Sequence, residues 1–201
     1  MSTPPEGRLV PFQRKASWLS EATDQVLVAA CATNDSAAMA ELFDRYCEAV
    51  HRFIARLVGA GHADVDDMVH TTFLEALRSA GRFRGQSSVK TWLFGIAANV
   101  GRHHIRDQVR RRSFLRAWRE RAPAPSKAPD AAAEHRQAVE RVGAAMTRLP
   151  FDLRAAFVLC DLEEMSGADA AAALDVAPGT LGRRLFEARQ ALRSAVEGGR
   201  S

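Results

Sequence analysis

The sequence predicts an all-α protein made of two small helical domains. Three observations carry that expectation. Apolar residues recur at three-and-four spacing from about Asp24 to Arg112 and again after residue 134, no stretch alternates with the period of a strand, and a basic segment containing prolines separates the two patterned halves. The expected divisions are a flexible N-terminal extension at 1–23, a first helical domain at 24–112, a flexible linker at 113–133 and a second helical domain at 134–197.

The extension mixes Pro4, Pro5 and Pro11 with scattered charges and holds no sustained period beyond room for a short helix near Trp18. Four helices are expected next. The first covers about Asp24 to Ala32, and the second carries Phe43, Tyr46, Val50, Phe53, Ile54 and Leu57 before Gly59 and Gly61 stop it. The third, about Ala63 to Ala80, aligns Val65, Met68, Val69, Phe73 and Leu77, and Asp64, Asp66 and Asp67 suit the positive end of its dipole. The fourth starts from a Ser87 or Ser88 cap, turns Val89, Leu93, Ile96 and Val100 inward, and then becomes basic.

From Arg102 to Arg121 eight arginines face only Asp107 and Glu120, a local charge of +6 in a chain whose total is +4. The positive charge is therefore placed, not spread, and it points to an anionic partner. Pro123, Pro125 and Pro129 follow in a linker of about 20 residues that reaches roughly 65 Å when extended. Beyond it, helical stretches are expected at about 132–148, 151–162, 167–174 and 178–197, broken at Pro150, at Ser166 with Gly167, and at Pro178.

Other classes are excluded. Cys31, Cys47 and Cys160 are widely spaced and lack any CxxC pattern, which argues against a disulfide framework or thiolate zinc site and fits a reducing compartment. Cys47 and Cys160 lie within apolar helical patterns, as inert core thiols do. No run approaches the roughly 18 apolar residues of a span, and prolines occupy the opening where a secretory signal has its apolar core. The expected location is the cytoplasm, without membrane insertion.

The segment SGADAAAALDVAPGTLGRRLFEARQALR has the form of a helix-turn-helix: a short alanine-rich helix, a turn at Asp175 to Ala177, and a longer helix opened by Pro178. Leu181, Leu185, Ala188 and Leu192 form its inward stripe. Thr180, Arg183, Arg184, Glu187 and Gln190 are left for the outer surface, where arginines suit phosphates and guanine edges. In the first half, an acidic helix, an arginine-glycine loop and a helix bearing Trp92, Phe94 and Arg102 interleave aromatic with basic residues. Capture of single-stranded DNA needs that mixture, because aromatic faces restore roughly 1 to 3 kcal/mol of stacking per base.

These residues resemble the sigma-70 family of RNA polymerase sigma factors, in its extracytoplasmic-function (ECF) group. The family pattern of "LVQETF", "RFRG", "TWL" and "IARN" matches Met68 to Asn99, and "LP", "LR", "GT", "RL" and "AR" follow in order from Leu149 to Arg189. The resemblance covers about Asp35 to Val196. It implies sigma region 2 in the first domain and region 4 in the second. The implied function is that of an alternative sigma factor, which is not an enzyme: it binds core RNA polymerase, recognises the -35 and -10 promoter elements and initiates transcription. Core RNA polymerase through its largest-subunit clamp, promoter DNA and an anti-sigma factor are the implied partners, with no cofactor.

By the same resemblance, Asp64, Asp66, Asp67, Phe73 and Glu75 are assigned to core binding, with a helix-capping acidic turn as the plainer reading. Arg82, Phe83, Arg84, Gln86, Ser87, Ser88, Trp92, Asn99, Arg102, His103 and Arg106 are assigned to the -10 element and its melting, although Trp92 also suits core packing. Thr180, Arg183, Arg184, Phe186 and Glu187 are assigned to the -35 element. His70 and Thr71 stand where the family has glutamine and an acid, and Gly182 and Glu187 stand where it often has bases.

Two other readings compete. His62, Asp66 and His70 recur every four residues, a spacing that can hold a metal, but no second cluster supplies further ligands and the expectation is no metal. A helix-turn-helix regulator acting without core polymerase would explain the second half only.

Overall fold

The computed structural model describes residues 17–59, 62–116 and 142–197. Nine helices are labelled: α1 (Ser17–Glu21), α2 (Asp24–Cys31), α3 (Ser36–Val58), α4 (Val65–Ser79), α5 (Val89–Arg116), α6 (142–148), α7 (Phe151–Phe157), α8 (Gly167–Ala173) and α9 (Pro178–Glu197). There is no strand among the described residues. Of the linker expected at 113–133, residues 113–116 continue α5 instead, since no proline or glycine interrupts the helix there; residues 117–133, with Arg119, Arg121 and the prolines, lie outside the described residues, as do residues 1–16.

Local chemistry accounts for the helix starts. Thr23 Oγ1 accepts from Val26 N–H to open α2, Asp35 accepts from Ala37 and Ala38 N–H to open α3, and Ser166 accepts from Asp169 N–H to open α8. Ser88 Oγ accepts from Thr91 N–H at 3.0 Å, so of the two serines expected as caps, Ser88 does the capping. Gly59 ends α3 at φ 110°, a conformation that disfavours any side chain.

α3 lies against α2, α4 and α5, with Phe53 stacked on Phe94 of α5 at a centroid distance of 4.6 Å. The second half docks on this bundle: Ala155, Val158, Leu159, Ala171, Leu174 and Leu181 are buried in one apolar core with Phe53, Leu93 and Phe94. The two helical units are thus both present and packed together. α5 and α8 approach so closely that a Cβ on Gly95 would sit 2.9 Å from the Ala173 carbonyl oxygen.

Two differences from expectation have clear causes. Residues 17–21 form α1, the short helix that the sequence left room for near Trp18, but it is packed on the bundle with Leu19 buried and does not belong to a free extension. Arg45 of α3 holds it by donating to the Leu19, Ser20 and Ala22 carbonyls and to Asp24, at 2.8 to 3.0 Å. The single helix expected at 151–162 widens into a π-turn over Val158–Leu162, closed by Glu163 N–H to Val158 O at 2.9 Å. That turn swings Glu163 back onto α3, where its buried carboxylate meets Arg56 at 2.5 Å and Arg52 at 3.4 Å.

Candidate nucleic-acid interface

A 3-10 turn at Ala80–Arg82 ends α4 and delivers the loop into α5. Gly85 takes φ 68° there, letting the chain reverse while Arg82, Arg84 and Gln86 stay exposed. Phe83 and Trp92 are half-buried and tilted against each other at 5.0 Å, each with its inner side on the apolar core. Trp92 is therefore packed on one side and open on the other. Along α5, Asn99, Arg102, His103 and Arg106 share one face by their three-and-four spacing, and Arg102 donates to Asn99 Oδ1 at 2.9 Å.

The helix-turn-helix forms as expected. α8 ends at Leu174, Asp175 turns the chain at φ 51°, and Pro178 opens α9. Leu181, Ala188 and Leu192 are buried, while Arg183, Phe186 and Glu187 are exposed, Phe186 at 66%. Glu187 lies 3.6 Å from Arg183, so it offsets a base on its own helix. Arg184 departs from expectation. Expected on the outer surface, its side chain is only 20% exposed and turns toward α7.

Asp152, at the start of α7, explains that turn. Its Oδ1 lies 3.2 Å from Arg102 and its Oδ2 lies 3.2 Å from Arg184, so one carboxylate joins the arginines of α5 and α9. Arg102 also lies over the Phe151 ring at 5.6 Å. In this arrangement both guanidiniums are already engaged. Asp152→Asn removes the charge they share and is expected to raise the affinity of the free protein for promoter duplex about three- to tenfold, measured by fluorescence anisotropy at fixed salt. Unchanged affinity would show that the bridge does not compete with phosphate.

The acidic turn of α4 is divided in its surroundings. Asp66 is 91% exposed and pairs with His51 at 3.4 Å, Asp67 is exposed, and Glu75 pairs with Arg78 at 2.6 Å. Asp67, Thr71, Glu75, Asn99 and His103 line a cleft of about 720 Å³ between α4 and α5. Phe73 requires a correction, since it is buried at 3% exposure against Phe43 and belongs to the fold core. It follows Val69 by four residues on the inward stripe, so it cannot present its ring to a partner.

Residues that sequence reasoning missed hold the two halves together: Asp152, Glu163 and Arg154, whose guanidinium donates to the Leu57, Thr147 and Leu149 carbonyls. The signal for Arg154 was a lone arginine on the inward side of an apolar helix. Burial pushes the thiols of Cys31, Cys47 and Cys160 up, which keeps them protonated and unreactive near neutrality. Among the described residues, His62, Asp64 and His104 are the group of side chains placed to share a metal ion.

A helix-turn-helix packed on a helical bundle that bears basic and aromatic residues is the architecture of a two-module DNA-binding protein. Residues 42–111 match the family model for sigma-70 region 2, and residues 140–192 match that for sigma-70 region 4. The chain is 33% identical over 186 residues to the ECF RNA polymerase sigma-E factors of Escherichia coli K12 and Salmonella typhimurium, covering 87% of this chain and 95% of each relative. Among solved structures, CnrH in complex with the cytosolic domain of CnrY is similar, with a TM-score of 0.61, 28% identity and coverage of 89% of this chain and 99% of that one. The sigma factor RpoE of Bartonella quintana shares the fold, with a TM-score of 0.60, 24% identity and coverage of 77% and 94%. The chain belongs to the sigma-70 family, in its ECF group, as an alternative sigma factor that recognises promoter DNA and initiates transcription with core RNA polymerase.

Proposed function

We propose that residues 24–112, with the last turn of α5 to Arg116, act as the core-binding and promoter-opening domain and 134–197 as the -35 domain, on either side of a linker that follows α5. The observation that carries this reading is the pair of basic helix faces, Asn99 to Arg106 on α5 and Thr180 to Glu187 on α9, each inside a segment that matches its sigma region. Arg82, Phe83, Arg84, Gln86, Ser87 and Ser88 form the loop that takes an unstacked base, with the open side of Trp92 beside them. Asn99, Arg102, His103 and Arg106 track the adjoining backbone, and Thr180, Arg183, Arg184 and Phe186 read the duplex at the -35 element. Glu187, held near Arg183, accepts from a base amino group or limits phosphate contact.

Asp64, Asp66, Asp67 and Glu75 bind the largest-subunit clamp of core polymerase through the exposed acidic side of α4. The protein acts in the cytoplasm and is not an enzyme; no helix among the described residues is long and apolar enough to cross a membrane. CnrH forms a complex with the cytosolic domain of CnrY, and an anti-sigma factor, which the family resemblance implies, is assigned to this chain as a partner.

Run-off transcription with purified core polymerase tests the reading. Arg102→Ala and Arg184→Ala are each expected to lower open-complex formation about tenfold with core affinity unchanged, whereas Asp66→Ala with Asp67→Ala weakens core association in competition assays. Equal promoter opening by both arginine variants, or tight operator binding with no promoter-specific product, overturns it.

A further inference from the structure

His62, Asp64 and His104 come from two places in the chain, the turn entering α4 and the middle of α5. Their rings and carboxylate nonetheless converge. The imidazoles meet edge to face at 5.2 Å and 87°, Asp64 Oδ2 lies 3.2 Å from His104 Nε2 and 3.9 Å from His62 Nδ1, and one ligand atom from each residue lies within 4.8 Å of the others. Donors bound at about 2.0 to 2.1 Å around a tetrahedral ion sit about 3.3 Å apart, so side-chain rotation alone closes these gaps.

Gln108, one turn beyond His104 on α5, makes a second and independent observation. Its carboxamide nitrogen lies 2.7 Å from His62 Nε2 and 3.0 Å from His104 Nε2. Turning the amide over places its oxygen at that position, where it accepts the His62 Nε2–H, leaves the His62 Nδ1 lone pair facing Asp64, and releases His104 Nε2 from the amide N–H so that its lone pair is free for an ion. Among the described residues the Asp64 backbone N–H is the donor that reaches that lone pair, at a long 3.3 Å. Histidine ligands depend on an outer partner of this kind to fix the ring and tautomer.

We propose that His62, Asp64 and His104 form a binding site for a divalent transition ion of the zinc, cobalt or nickel type, oriented by Gln108 and with a fourth position open to water. Two imidazoles and one carboxylate are borderline donors that favour these ions over magnesium or calcium, and no thiolate belongs to the set. The ion fastens the α3–α4 turn to α5 at the edge of the cleft lined by Asp67 and His103. This group differs from the His62, Asp66 and His70 spacing that the sequence offered and set aside in favour of no metal: His70 and Asp66 are exposed, and His104 comes from α5.

Cobalt titration of the untagged full-length protein, followed by visible absorption, reads the site directly. The expected result is a tetrahedral d–d spectrum whose apparent affinity falls at least tenfold in His62→Gln, in Asp64→Asn and in His104→Gln, and about tenfold in Gln108→Ala. His70→Gln leaves it unchanged, and circular dichroism confirms that each variant is folded. Absence of d–d bands, retention of full affinity by His104→Gln, or sulfur-to-cobalt charge-transfer bands would each overturn the proposal. Because cobalt is read without polymerase or promoter, failure here is separate from failure of the transcription assay.

Discussion

Replacing Arg154 by methionine is expected to lower the thermal midpoint by about 6 to 12 °C. The Arg154 guanidinium is buried where the C-terminal ends of α3 and α6 meet the start of α7. It donates to Thr147 O at 2.7 Å, to Leu149 O at 2.8 Å and to Leu57 O. Carbonyls at helix ends have no donor four residues on, and a cation there also faces the negative ends of two helix dipoles. Burial lowers the Arg154 pKa, and Nε has no partner, so the charge is held at a cost.

Methionine keeps the volume, removes that cost and strands three acceptors. The net loss is roughly 3 kcal/mol. Arg154→Lys should recover only part of it, because one ammonium on a flexible stem cannot meet carbonyls spread around a planar guanidinium. Calorimetry of both variants decides the matter. A methionine variant as stable as the parent, or a lysine variant with full stability, would show that the three carbonyls are satisfied without the guanidinium fork.

Gly95→Ala is expected to separate the two halves while leaving the first one folded. An alanine Cβ would lie 2.9 Å from the Ala173 backbone oxygen, too close for either helix to keep its place. Within α5 itself the change is favourable by roughly 1 kcal/mol, since alanine is the better helix former. The two effects therefore act on different things. The radius of gyration from small-angle scattering should rise and protease cleavage between the halves should accelerate, while helical content is maintained.

Promoter-specific transcription with core polymerase should stay at or above the parent level, because two promoter elements are engaged by halves that a linker of roughly 65 Å can hold apart. An unchanged radius would mean that α8 slides past the new methyl. Combining Gly95→Ala with Asp152→Asn removes both the close packing and the shared carboxylate, and free DNA binding should rise beyond either single change.

Each helix was legible because its evidence is local. The apolar stripe of α3 from Val50 to Leu57, the cap at Ser88, the stop at Gly59 and the start at Pro178 are all written within a few residues of where they act. Periodicity also identified Leu181, Ala188 and Leu192 as buried. The same logic placed Phe73 on the inward stripe of α4, and only its assignment to a partner surface was at odds with that position.

What the sequence alone determined was the all-α class, the helix boundaries to within a few residues among the described residues, the two-module order and the family, because these depend on neighbours three or four residues apart and on short motifs in register. Tertiary structure decided the pairings between elements. Arg102 and Arg184 on Asp152, Arg154 on Leu57, Glu163 on Arg52 and Arg56, and His62 beside His104 join positions that no helical period relates. A side chain's reach is a few ångströms, so whether two such groups meet depends on how the helices cross, and that crossing is set by packing over the whole core.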